Sequence, residues 1–116
     1  MNLQEVIDHL GLEILTNKGN DFSSIEPKSG YISDLLSCVM AGANPQSIWV
    51  TLQAHINIVA VGALKDVAAI IITEGATPEE ATILKAEAEG ITLLSTPQSS
   101  FFVVGKLWEM GLTDVS

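Results

Sequence analysis

The chain has little of what most catalysts and nucleic-acid binders need. It holds one cysteine, two histidines and five basic residues among 116. A single thiol, Cys38, excludes an internal disulfide. It lies in an apolar stretch without a neighbouring base, so it reads as a small buried hydrophobe rather than a nucleophile. His9 and His55 lie far apart, and with one cysteine they make a poor zinc set, because structural zinc takes four N/S ligands at tight spacings. Five basic residues against 14 acidic ones leave a net charge of −9. Such a chain repels phosphate backbones and anionic lipid, so neither nucleic acid nor a membrane is expected as a partner. Small anions stay compatible, since amides at helix N-termini hold them without basic side chains. No apolar run of about 18 residues is present, so no membrane-spanning helix is expected. Met1-Asn2-Leu3-Gln4-Glu5 lacks the basic start and apolar run of a signal peptide, which points to the cytoplasm. The GxxxxGK phosphate loop, GxGxxG, GxSxG and HExxH are all missing. No catalytic residue and no metal or cofactor is therefore expected.

What is present is apolar and regularly spaced. Hydrophobic residues make up 47% of the chain, enough for one core burying about two-thirds of the unfolded surface. No linker divides it, so residues 1–116 read as a single domain. Asn2-Leu3-Gln4-Glu5 resembles a capping box opening a helix to His9, with Gly11 as its stop. Leu12 to Leu15 alternates like a strand, and Ile25 is a candidate for a short strand before Pro27. Ile32, Leu35, Leu36, Val39 and Met40 step at helical spacing.

The second half is more regular. Ile48-Trp49-Val50, Ala69-Ile70-Ile71-Ile72 and Ile91-Thr92-Leu93-Leu94 read as strands. Their centres, Trp49, Ile71 and Leu93, recur every 22 residues. Between them lies a helix with Ile56, Val59, Ala60, Ala63, Leu64, Val67 and Ala68 on one face. A second follows the start signal Thr77-Pro78-Glu79-Glu80. A last helix, capped by Ser99 or Ser100, carries Phe101, Val104, Leu107 and Trp108. Alternating strands and helices at this period imply right-handed crossovers and a parallel sheet. Uniformly apolar strands imply cover on both faces. The expected fold is a three-layer α/β/α sandwich, with a mainly parallel sheet of about five strands.

In such sheets ligands bind beyond the C-terminal strand ends. Those loops gather Thr51, Gln53, His55, Asn57, Thr73, Ser95, Thr96, Ser99 and Ser100 on one rim. Serine, threonine and asparagine there are ordinary helix caps. Gln53 and His55 are not preferred caps. The candidate ligand-binding set is Thr51, Gln53, His55, Asn57, Ser95 and Thr96. Among the aromatic residues Trp49, Phe101, Phe102 and Trp108, most are expected in the core. Trp108-Glu109-Met110 is the best candidate for an exposed apolar patch.

Gly30-Tyr31-Ile32-Ser33-Asp34-Leu35-Leu36-Ser37, the stretch Ile48 to Val61, and Leu93-Leu94-Ser95-Thr96-Pro97 together resemble a DRTGG domain, from about Leu12 onward. The naming motif is degraded, since Glu26-Pro27-Lys28-Ser29-Gly30 keeps only its final glycine. The family is similar to the N-terminal domain of HPr kinase/phosphorylase and shares a three-layer α/β/α fold. The resemblance implies a non-catalytic regulatory or small-ligand sensing module, with a nucleotide or another small anionic metabolite as ligand and a homodimer as assembly. The alternative is a protein–protein interaction subunit of a redox or hydrogenase-type complex, without a ligand of its own.

Overall fold

The computed structural model describes residues 1–115. The chain opens with α1 (Leu3–Leu10), capped by Asn2, whose side chain accepts from the Glu5 amide. Gly11 ends it, and the short strand β1 (Glu13–Ile14) follows. A 3-10 turn (Phe22–Ser24) leads into β2 (Ser29–Ile32). Then come α2 (Leu36–Gly42), β3 (Ser47–Thr51), α3 (Asn57–Leu64), β4 (Ala69–Ile72), α4 (Glu80–Glu89), β5 (Leu93–Ser95) and α5 (Ser100–Glu109).

The five strands form one sheet in the order β1-β5-β4-β3-β2. Strands β2 to β5 are parallel, and β1 alone runs antiparallel, against β5. Both edge strands come from the first half of the chain. Residue parity sends alternate side chains to two cores. On one face Ile48, Val50, Ile71 and Leu94 pack with Leu3, Val6, Ile7 and Leu10 of α1 and with Val103 and Leu107 of α5. On the other, Trp49, Ile70, Ile72 and Leu93 pack with Val39 of α2, Ile58 and Val59 of α3 and Ala86 of α4. This is the three-layer α/β/α sandwich. Ile70, Ile71 and Ile72 are fully buried, each contributing about 1.5–3 kcal/mol by leaving water.

Several local expectations are corrected. Ile32 belongs to β2, not to a helix, and the strand follows Pro27 rather than preceding it. Cys38 is exposed, because α2 buries only Val39 against the sheet. In α3 the buried face is Ile58, Val59, Val61 and Gly62, leaving Leu64 in solvent. Thr77 does not cap α4. That helix starts at Glu80, while the Thr77 hydroxyl turns back to the Gly75 carbonyl at 3.5 Å. Most importantly, α5 buries Val103 and Leu107 rather than Phe101 and Trp108. Phe101 is 90% exposed and Trp108 57%, so of the four aromatic residues expected mainly in the core only Trp49 is buried.

Candidate functional site

The C-terminal ends of the parallel strands are stitched into one polar rim. Register places Thr51 opposite Ile72, and Ile72 opposite Ser95. At about 4.8 Å per strand, the loops after β3 and β5 lie about 10 Å apart with the β4 loop between. The rim continues the ladder: the Thr73 amide donates to the Thr51 carbonyl at 2.9 Å and the Thr96 amide to the Ile72 carbonyl at 3.0 Å.

Thr51 is fully buried and its hydroxyl is committed. It donates to Asp34 Oδ1 at 2.8 Å and accepts from the Gln53 amide at 3.0 Å. The same Asp34 oxygen accepts from the Leu52 amide at 2.8 Å. Asp34, in the loop after β2, is thus the residue that shapes the β3 loop. Nothing in its local sequence marks it beyond its place in the Gly30–Ser37 stretch. Gln53 is half-buried and its side-chain amide bonds no other described residue. His55 is exposed, and its Nδ1 accepts from the Asn57 amide at 3.1 Å. That bond leaves Nε2 to carry the proton in the neutral ring and face outward. Asn57 is the first residue of α3 and is exposed.

The β4 and β5 loops are tied together more tightly. Glu74 adopts φ 62, a left-handed conformation rare outside glycine, and Gly75 continues it at φ 72. The turn brings Glu74 Oε2 to the Ser100 amide at 2.8 Å, capping α5 with a carboxylate where the helix dipole favours one. Thr73 and Ser100 share a hydroxyl hydrogen bond of 2.5 Å, and Ser99 accepts from the Phe102 amide at 3.1 Å.

A cleft of about 340 Å³ opens beside this knot. Gly75, Ala76 and Thr77 form one wall, Ser95, Thr96 and Pro97 another, and Gly11 and Glu13 close the outer side. Its position follows from topology. Helices α2 to α4 lie on one face of the sheet and α5 on the other. The loops after β4 and β5 therefore leave neighbouring strands toward opposite faces, and the gap between such loops is where open α/β sheets hold ligands. Of the six candidate residues, Ser95 and Thr96 line this cleft, while Thr51 ends β3, Gln53 and His55 lie in the adjoining loop and Asn57 opens α3. Glu13 was not legible as a site residue. Only the antiparallel register that sets it opposite Ser95 brings it there.

A second hollow of about 150 Å³ is apolar and lies elsewhere, between β2, α5 and the C-terminal segment. Ile32, Val104, Trp108, Leu112 and Val115 line it. Its outer wall is held by a parallel bridge between Gly30 and Val115. Among the described residues no group of histidine, cysteine and carboxylate side chains could hold a metal ion, and no helix is long and apolar enough to cross a membrane.

A mostly parallel five-stranded sheet between two helical layers, with a polar cleft where its loops part, defines the class: an α/β/α sandwich. The chain is similar in structure to the CBS and DRTGG domains of the regulatory region of Clostridium perfringens pyrophosphatase, solved in complex with its activator, diadenosine tetraphosphate. The TM-score is 0.71 at 21% identity, over 89% of this chain and 44% of that one. At that identity the likeness is one of fold. No family model and no curated protein matches the chain.

Proposed function

We propose that the chain is a non-catalytic regulatory module of the cytoplasm that senses a small ligand, a nucleotide, at the C-terminal rim of its sheet. The observation that carries this reading is the cleft between the β4 and β5 loops, at the one place where adjacent loops diverge to opposite faces. Small hydroxyl residues line it, and no nucleophile–base pair accompanies them. The fold neighbour is itself part of a regulatory region crystallised with a nucleotide activator. The binding set is Ser95 and Thr96 in the cleft, with Thr51 and Asn57 shaping the adjoining loop and Gln53 and His55 presented from it. Isothermal titration with AMP, ATP and diadenosine tetraphosphate is the test. Saturable binding by one of them, lost on filling the cleft with Ser95→Trp, is the expected result. The absence of binding by all three at millimolar concentration sinks the reading.

The module works as a homodimer. Phe101, Trp108 and Ile32 are exposed at 90%, 57% and 48%, and Trp108 and Ile32 border the apolar hollow. An exposed Trp108 and Ile32 at the edge of such a hollow suit a protein contact better than solvent. The same face serves the second reading, an interaction subunit with no ligand of its own. Sedimentation of the wild-type chain and of Trp108→Ser separates the two. A wild-type dimer that Trp108→Ser dissociates supports self-association, and a strict monomer excludes it.

A further inference from the structure

We infer that the β4–β5 cleft admits the uncharged, donor-bearing end of its ligand and leaves the phosphates outside. The inference rests on the reading of this cleft as the ligand site and specifies the chemistry it accepts.

The usual way to hold a phosphate without basic residues is a set of free backbone amides. Here the loop amides are occupied. Gly75 donates to the Thr96 carbonyl at 3.1 Å, Ala76 to the Thr73 carbonyl at 3.1 Å, and Thr96 to the Ile72 carbonyl at 3.0 Å. Gly11 donates back to Ile7, closing α1. Pro97 has no N–H to give. Among the loop residues of the lining this leaves the Thr77 amide alone. One donor does not make a phosphate cradle, and no lysine or arginine lines the cleft.

The two side chains left unsatisfied, Glu13 and Ser95, can both accept, and Glu13 can only accept. The Glu13 side chain is exposed, makes no hydrogen bond or ion pair with another described residue, and lines the cleft. Its cross-strand partner Ser95 likewise has a hydroxyl that bonds no other described residue. Directly opposed residues of an antiparallel pair point to the same face with Cβ atoms about 4.5–5.5 Å apart. A carboxylate and a hydroxyl side by side accept hydrogen bonds from an amino group or a pair of hydroxyls. A phosphate at the same place would meet the Glu13 charge without a counter-charge. Of a nucleotide, the nucleoside end has the donors this cleft requires, and its phosphates would trail over the β3 loop or into solvent.

The test uses the 15N-labelled chain, titrated separately with adenosine and with tripolyphosphate at low salt. Adenosine is expected to move the amide signals of Gly75, Ala76, Thr77, Ser95 and Thr96, and tripolyphosphate to leave them in place. Glu13→Lys, at an exposed position, is expected to weaken adenosine about tenfold, the loss of one charge-assisted hydrogen bond, and to let tripolyphosphate shift the same signals. If tripolyphosphate moves these signals in the wild-type chain at lower concentration than adenosine does, the chemical assignment falls while the cleft stands as the ligand site. If neither probe moves them, both fall.

Discussion

Thr16 offers the sharpest check on how the site is held together. It sits just past β1, fully buried, and its hydroxyl does the work of a missing ladder rung. Oγ1 donates to the Ile91 carbonyl at 2.6 Å and accepts from the Leu93 amide at 2.8 Å. Thr16→Val keeps shape and volume, so no cavity opens. It strands two backbone groups in the interior instead. Leaving a buried donor or acceptor without a partner costs about 1–3 kcal/mol, so the pair amounts to about 2–4 kcal/mol after local relaxation. With a urea m-value of roughly 1.5 kcal/mol per molar for a chain of this size, the unfolding midpoint should fall by about 2 M. Thr16→Ser keeps both hydrogen bonds and loses one methyl group, a cost of about 1 kcal/mol. Urea unfolding of the wild type and both variants, followed by circular dichroism, separates the causes. If Thr16→Val is no less stable than Thr16→Ser, the hydroxyl bridge does not anchor β1.

Three further variants test other contacts. Gly42→Ala should destabilise by about 1–2 kcal/mol in spite of alanine's better helix propensity. Its Cβ would lie 2.6 Å from the Tyr31 hydroxyl and 2.8 Å from Cε1, and a melting temperature equal to wild type would contradict the packing. Ser47→Ala should be neutral or stabilising by up to about 1 kcal/mol, because Ser47 Oγ is buried without a hydrogen-bond partner. A clear loss of stability in a thermal melt would mean that the hydroxyl has one. Gln53→Ala and His55→Ala should each cost under about 1 kcal/mol of stability, since the His55–Asn57 bond is an exposed first-turn contact. They should weaken the binding of nucleotide several-fold by calorimetry, and an unchanged Kd would place both residues outside the site.

The regular part of the chain was legible because period and burial agreed. The run Ala69 to Ile72 is apolar on both faces and is found fully buried, as a central parallel strand requires. On α5 the expected Leu107 is buried, but Phe101 and Trp108 fit helical spacing with it as well as Val103 does, and Val103 is the one buried. Only the packing of α5 against β3 and α1 decides between them, and that contact is non-local. Thr77-Pro78-Glu79-Glu80 reads as a helix start, yet α4 begins at Glu80 with an extended Glu79 before it. The rim residues Ser95 and Thr96 could be named from strand ends alone. Glu13 could not, because a residue of an edge strand enters a site only through its register.

The anchoring of β1 gives the cleft a place in time as well as in space. The hydroxyl of Thr16 and the amide it receives are 77 residues apart in sequence. Strands β2 to β5 assemble through successive nearby crossovers, whereas β1 must wait until β5 exists. Closing so long a loop is among the slower steps available to a chain of this size. The wall that carries Glu13 is therefore complete only once β1 has paired with β5. A ligand touching that wall binds only molecules whose two ends have met, and by mass action it holds the ends together. Occupancy would thus be read at the seam where the first strand of the chain meets the last.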